Sequence, residues 1–189
     1  MKKIFLFSLL CFFYIFSYSQ VTVGADKSLT VSLNDYNTYA WTTDIDKIPT
    51  DQIFVGPNGV VVFNNESVRS KIKNAIEYEL SAKGYKKVES NPEVVVLFLV
   101  TEQPGSLRTY NGYQVVNGGL DTVRSQDNVE NTTIEAGTLL INLIDAKSGK
   151  VAWQGYASGV LKPDMINDET KVREAVSSIF QKFNFKAKQ

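Results

Sequence analysis

Thr138-Leu139-Leu140-Ile141-Asn142-Leu143-Ile144-Asp145 runs through Ala146-Lys147-Ser148-Gly149 into Lys150-Val151-Ala152-Trp153-Gln154-Gly155-Tyr156-Ala157. Two runs rich in apolar, β-branched and aromatic residues flank a short polar segment that ends in glycine, which is the pattern of a strand, a turn and a returning strand. Regular alternation along the second run places Val151 and Trp153 on one face. Asp145, at the end of the first strand, is expected to accept backbone donors in the turn before Gly149.

Moving toward the N-terminus, Thr101 to Glu135 holds Gly105, Gly112, Gly118 and Gly119 among many Asn, Thr and Gln residues. Within it, Thr109 to Val116 is predicted as one strand of a hairpin, and the rest as loop or irregular edge. Before it, Val94-Val95-Val96-Leu97-Phe98-Leu99-Val100 is apolar at every position and too short for a typical buried helix. It reads as a central strand covered on both faces. Tyr36-Asn37-Thr38-Tyr39-Ala40-Trp41 alternates as a strand does, with Tyr39 and Trp41 on the side of Asn37 and Tyr36 opposite. Val21 to Val23 is a short segment ahead of the polar stretch Asp26 to Ser28, and Thr42 to Gly59 reads as a long loop.

Two amphipathic helices complete the pattern. Val68, Ile72, Ile76 and Leu80 recur at four-residue spacing with Ala75 alongside, after a cap at Asn64 or Asn65, with Glu66 in the first turn and an end at Lys83-Gly84. Val172, Ala175, Val176, Ile179, Phe180 and Phe183 form the second stripe, after a cap at Asn167 or Asp168. Each helix buries one face only. A mainly antiparallel sheet with both helices packed on one face satisfies all these stripes, so the expected fold class is α+β, a two-layer sandwich.

Composition excludes much chemistry. The 189 residues contain no histidine and one cysteine, Cys11. Histidine general bases, Ser-His-Asp triads and imidazole metal ligands are therefore ruled out. Carboxylate chemistry, a Ser-Lys nucleophile or an oxygen-ligand cation site remain. Glu130 and Glu135 lie close in sequence, but no acid is fixed opposite them as a glycosidase pair requires. Asp44, Asp46 and Asp51 cluster in a loop without the glycine and downstream glutamate of a calcium-binding loop. No metal or cofactor site is expected. Asp121-Thr122-Val123 fits a three-residue O-glycosylation pattern found in some envelope bacteria, and so short a pattern arises by chance.

The first nineteen residues have the layout of an export signal: Lys2 and Lys3, an apolar run from Ile4 to Phe16, and a small-x-small site at Ser17-Tyr18-Ser19 before Gln20. Cleavage between Ser19 and Gln20 leaves residues 20–189 as one domain and removes Cys11. Leu10 stands where a lipobox needs a small residue, so no lipid anchor is expected. Nor does a second apolar run long enough to cross a bilayer follow. Taking Lys2 and Lys3 from the 20 basic residues leaves 18 against 20 acidic ones, a net charge of −2, which gives no case for nucleic acid. The expected location is the periplasm or the outer face of the cell envelope.

Several of these segments together resemble a known family. They are Tyr36-x-x-Tyr39-Ala40-Trp41, Lys83-Gly84-Tyr85, Asn91-Pro92-Glu93, Glu135-Ala136-Gly137-Thr138-Leu139, the hairpin from Ile141 to Gly155, and an Ala175-Val176 helix closing at Phe183. The chain is similar over nearly its whole mature length to the bacterial envelope family of domain of unknown function 4136. No enzymatic activity is carried over from that family. Many of its members resemble lipoproteins with a cysteine at the cleavage site, where this chain has Ser19-Gln20.

The expectation for function is a non-catalytic envelope protein that binds a membrane protein complex or a cell-wall component. Its candidate interaction surface is the region from Thr101 to Glu135 with the adjacent sheet edge, represented by Tyr110, Tyr113, Asp121 and Arg124. Two other classes stay open. One is a carrier of a small apolar ligand or lipid held between sheet and helices beside Trp41 and Trp153, although Trp41, Trp153 and Tyr156 also read as core aromatics. The other is a carboxylate hydrolase, which requires Asp145 or Glu135 in a cleft with a raised pKa.

Overall fold

The Val94–Val100 strand needs cover on both sides because every one of its side chains is apolar, and the computed structural model provides it. The structure describes residues 21–28, 31–42, 66–101, 103–110, 114–116, 119–121, 129–162 and 165–188. The signal segment with Cys11, Ser19 and Gln20, the acids Asp44, Asp46 and Asp51, the caps Asn64 and Asn65, and Tyr113, Thr122, Val123 and Arg124 lie outside the described residues.

In chain order the elements are β1 (Val23–Lys27), a single 3-10 turn (Leu33–Asp35), β2 (Thr38–Trp41), α1 (Glu66–Ala82), β3 (Lys86–Lys87), β4 (Val94–Val100) and β5 (Gly105–Tyr110). Then follow β6 (Gln114–Val116), β7 (Gly119–Asp121), β8 (Val129–Ile134), β9 (Leu139–Asp145), β10 (Val151–Ala157) and α2 (Glu169–Phe180). Six strands form one mixed sheet in the order β1-β10-β9-β4-β2-β3. Its pairs are antiparallel from β1 through β4 and parallel from β4 through β2 to β3.

Both helices lie on one face, as the α+β reading expects. Val68, Ile72, Ile76 and Leu80 of α1 and Val172, Val176, Ile179 and Phe180 of α2 join Val96, Phe98, Ile141 and Trp153 in one core. Removing such side chains from water is the main force holding this layer together, at about 1.5–3 kcal/mol for each large one. Gly84, at φ +91°, ends α1: Tyr85 N–H donates to the Leu80 carbonyl at 3.0 Å and Gly84 N–H to that of Ser81 at 2.9 Å. These are the two bonds of a Schellman cap, and only glycine takes that φ without strain. Asp168 caps α2 by accepting from Thr170 N–H at 2.9 Å and Lys171 N–H at 3.4 Å. Phe183 lies beyond the helix end, yet its ring still meets Trp153 at 5.0 Å between centroids.

The other face of the sheet is covered too. Leu97, Leu99, Leu140, Ile144 and Tyr156 form a second core with Leu107 of β5 and Ile134 of β8, which makes the β5–β8 pair a third layer. The strand predicted over Thr109–Val116 is corrected here: β5 ends at Tyr110 and pairs with β8, whereas β6 pairs with β7. The polar stretch Asp26–Ser28 also belongs mostly to a strand, because β1 extends to Lys27 as an edge partner of β10. An edge strand needs few apolar residues, and Lys on it discourages further pairing.

A bulge changes the reading of β10. Val151 stands opposite Ile144 and Trp153 opposite Leu143, so Ala152 is an extra residue. Ala152 and Trp153 both face the helices, while Val151 packs on the β5–β8 side. Val151 and Trp153 therefore do not share a face.

Candidate interaction surface

Two of the segments that carry the family resemblance, Asn91-Pro92-Glu93 and the β9–β10 turn, meet the chain around the start of β2. Asn91 takes the left-handed backbone at φ 50°, which asparagine tolerates better than most residues, and Pro92 follows it. Glu93 is thereby set against the start of β2. Its Oε2 accepts from Asn37 N–H at 2.7 Å, Thr38 N–H at 2.9 Å and the Thr38 hydroxyl at 3.0 Å. The bond from Asn37, followed by those from Thr38, holds the carboxyl below its ordinary range despite some burial.

Asp145 does the same at the β9–β10 turn. Its Oδ1 accepts from Ser148 N–H at 2.5 Å, its carbonyl accepts from Gly149 N–H at 2.9 Å, and its Oδ2 accepts from the Tyr36 phenol. Burial works against the charged form, but the hydrogen bonds from Ser148, Tyr36 and Lys147 outweigh it and hold the carboxyl below its usual value. The bond to Asp145, then burial, pushes the Tyr36 phenol up to about 12. At the other end of β2, Trp41 Nε1–H donates to Glu77 Oε1 at 2.8 Å, which also takes Lys87 Nζ at 2.6 Å.

These carboxylates are locked acceptors, so the raised pKa that carboxylate hydrolysis asks of Asp145 is not met. Glu135 is exposed, and its backbone N–H donates to the Ser158 hydroxyl at 2.9 Å. Glu130 stands in β8 opposite Thr109. Among the described residues no three acids gather where a metal ion would be held. Both tryptophans named for an apolar carrier pack on other rings: Trp153 is buried against Phe180, at 5.8 Å between centroids, and Phe183, while Trp41 meets Phe98 edge-on at 5.9 Å.

Of the candidate surface residues, Tyr110 ends β5 opposite Val129, and Asp121 ends β7 opposite Gln114. They belong to two different ladders, so the structure does not join them in one strand pair. Among the described residues neither ladder has a third strand.

Residues 21–183 match the model of a family described as Domain of unknown function (DUF4136). The chain belongs to the DUF4136 family. No curated protein matches it in sequence. Among solved structures, a PDZ domain protein from Parabacteroides distasonis is similar over 87% of this chain at 16% identity and a TM-score of 0.51. This chain spans 36% of that protein's length, and the likeness is one of fold alone. A DUF4136 family protein from Bacteroides thetaiotaomicron covers 86% of this chain and 95% of its own length at 15% identity and a TM-score of 0.45. The PelC dodecamer from Paraburkholderia phytofirmans covers 89% and 99% at 10% identity and a TM-score of 0.43. Within the DUF4136 chain described here, no helix among the described residues is long and apolar enough to cross a membrane.

Sequence reasoning missed the roles of Glu93 and Tyr36. The signal for Glu93 was present as an acid after Asn-Pro beside an apolar strand, but its three donors come from residues more than fifty positions away. Nothing local announces them.

Proposed function

We propose that this protein is exported and works in the cell envelope as a non-catalytic binding module, gripping a membrane protein complex or cell-wall component through β5, β8 and the chain between them. The observation that carries the reading is the β5–β8 ladder. Leu107 and Ile134 fasten it to the second core, and its register runs on for three more pairs, from Arg108↔Asn131 to Tyr110↔Val129. A ladder fastened at its base fixes where the chain between its two strands begins and ends, and connecting segments on a rigid scaffold are where binding concentrates. The locked states of Glu93 and Asp145 further support a role without catalysis.

The test places a photo-crosslinking amino acid at Ser106 or Thr133, exposed positions on β5 and β8, and at Glu174 on the outside of α2 as a control, in living cells. The proposal expects one reproducible envelope partner from Ser106 and Thr133, none from Glu174, and a mature chain that starts at Gln20. Equal capture from all three sites, or capture of this chain alone, overturns it.

A further inference from the structure

Beneath β5 and β8 the sheet carries a polar row that core packing does not explain. Asn142 of β9 stands opposite Gln154 of β10 and Leu97 of β4, and Gln154 stands opposite Asp26 of β1. Asn142, Gln154 and Leu97 occupy positions facing the β5–β8 side, because Leu140, Ile144, Tyr156 and Leu99, two residues along their strands, belong to that core, and Asp26 takes the same side as the cross-strand partner of Gln154. Asn142 is wholly buried. Its Oδ1 accepts from Gln154 Nε2 at 2.9 Å, whereas its Nδ2 has no hydrogen-bond partner.

Leucine or valine would suit this position in a strand that is otherwise apolar from Leu139 to Ile144, and a buried amide donor without an acceptor is a standing cost. Asparagine there makes sense if something else supplies the acceptor. Exposure also rises along the row, from 0% at Asn142 through 8% at Gln154 to partial burial at Asp26. The row thus runs from the interior to the β1 edge of the sheet.

We propose that Asn142 Nδ2 is the hydrogen-bond donor of a ligand site between the sheet and the β5–β8 pair, and that the ligand is a neutral carbonyl on an aliphatic body, such as an acyl ester or amide. The free donor calls for an acceptor. Leu97, Leu107, Ile134, Leu140 and Tyr156, the packed core on the same side of the sheet, call for an aliphatic body that enters by parting them. The Asp26 carboxylate at the outer end of the row disfavours an anionic head group. This inference is independent of the partner-binding proposal, which rests on the β5–β8 ladder and the chain between its strands.

The test is a titration of 15N-labelled protein with monodecanoylglycerol, followed at the Asn142 side-chain amide signals by NMR, with decanoate as the charged comparison. The expected result is a saturable shift of the Asn142 signals with the ester and binding of decanoate weaker by about tenfold or more. Asn142→Leu lowers the ester affinity by at least about tenfold while its melting temperature stays level or rises, since the unpartnered donor is gone. Asp26→Asn, a mild change on an edge strand, narrows the gap between ester and decanoate and keeps the proposal testable if Asn142→Leu fails to fold. Asn142 signals that stay fixed at saturating ester overturn the site. Ester binding unchanged in Asn142→Leu does so too, as does an ester–decanoate gap unchanged in Asp26→Asn.

Discussion

The phenol of Tyr36 donates a hydrogen bond to the carboxylate of Asp145 across a sequence separation of 109 residues. This bond fastens the entry to β2 to the turn between β9 and β10, and the Asp145 carboxylate is also the acceptor that shapes the turn. Because Asp145 is held below its ordinary pKa in the fold, its contribution is present above the unfolded value of about 3.9 and is lost as pH falls through the lowered one. Tyr36 titrates in the opposite sense: with a folded pKa of about 12 against an ordinary 10.0, its contribution is full below pH 10 and is lost as pH rises toward 12. Denaturation between about pH 2 and 5 should show Asp145→Asn losing less stability on acidification than the natural protein, after starting about 1–3 kcal/mol lower. Parallel acid profiles would contradict this. Tyr36→Phe should flatten the alkaline limb.

Glu93 accepts three hydrogen bonds from two consecutive residues of β2 and its approach, so Glu93→Gln exchanges a charged acceptor for a neutral one. The expected loss is about 1–2 kcal/mol in urea unfolding, with faster hydrogen exchange at the Asn37 and Thr38 amides. Exchange at the α2 amides should not change, since α2 takes no part in that contact.

Gly137 and Gly155 answer to different constraints. Gly137 sits at φ +75°, where an added Cβ would lie 2.6 Å from the Leu161 carbonyl oxygen. At Gly155 an added Cβ would run into the Trp153 ring and lie 2.5 Å from Ile179 Cγ2. Alanine at either position should lower thermal stability by several degrees, as overpacking of about 1–3 kcal/mol does. Ile179→Ala, which removes the Cγ2 methyl, should relieve part of the Gly155 clash, so that the double variant loses less than the two single losses added, whereas no side-chain trimming should recover Gly137, because it meets backbone.

Deleting Ala152 removes the bulge and leaves Val151 opposite Ile144 and Trp153 opposite Leu143, each on its present face. That variant should fold, with a stability loss of about 2–3 kcal/mol for one buried alanine and the bond its carbonyl accepts from Ser28 N–H. Deleting Ile141 instead turns Leu139 and Leu140 to the wrong faces and should abolish cooperative melting. Circular dichroism melts of the two deletions provide the comparison.

Legibility in the sequence followed how local each signal was. Val94–Val100, the β9–β10 hairpin and both helix stripes could be read because each element's burial is written in its own residues. The bulge could not, since Val151, Ala152 and Trp153 are all apolar and the pattern reads the same with one residue more or less. β1 was hidden by Asp26 and Lys27, and β5 and β8 by their Thr, Asn and Gly content, because these strands bond mainly to one partner and reach a core through few side chains. Of the candidate surface, Tyr110 and Asp121 fall in strands, but their ladders differ, a fact that only pairing reveals. The buried amide row was marked in sequence by Asn142 alone inside an apolar strand, and its meaning required Gln154 across the sheet.

The central claim, that the chain between β5 and β8 is the binding element, is tested most directly by removing it without disturbing its base. Tyr110 and Val129 are register partners, so residues 111–128 can be replaced by Asn-Gly, a two-residue turn that closes an antiparallel pair. The measurement is crosslinked partner recovered from cells expressing this variant or the natural chain, at matched expression and with melting temperatures recorded. The account predicts a melting temperature within a few degrees of the natural protein and loss of the partner. Full partner recovery by the shortened protein would contradict it.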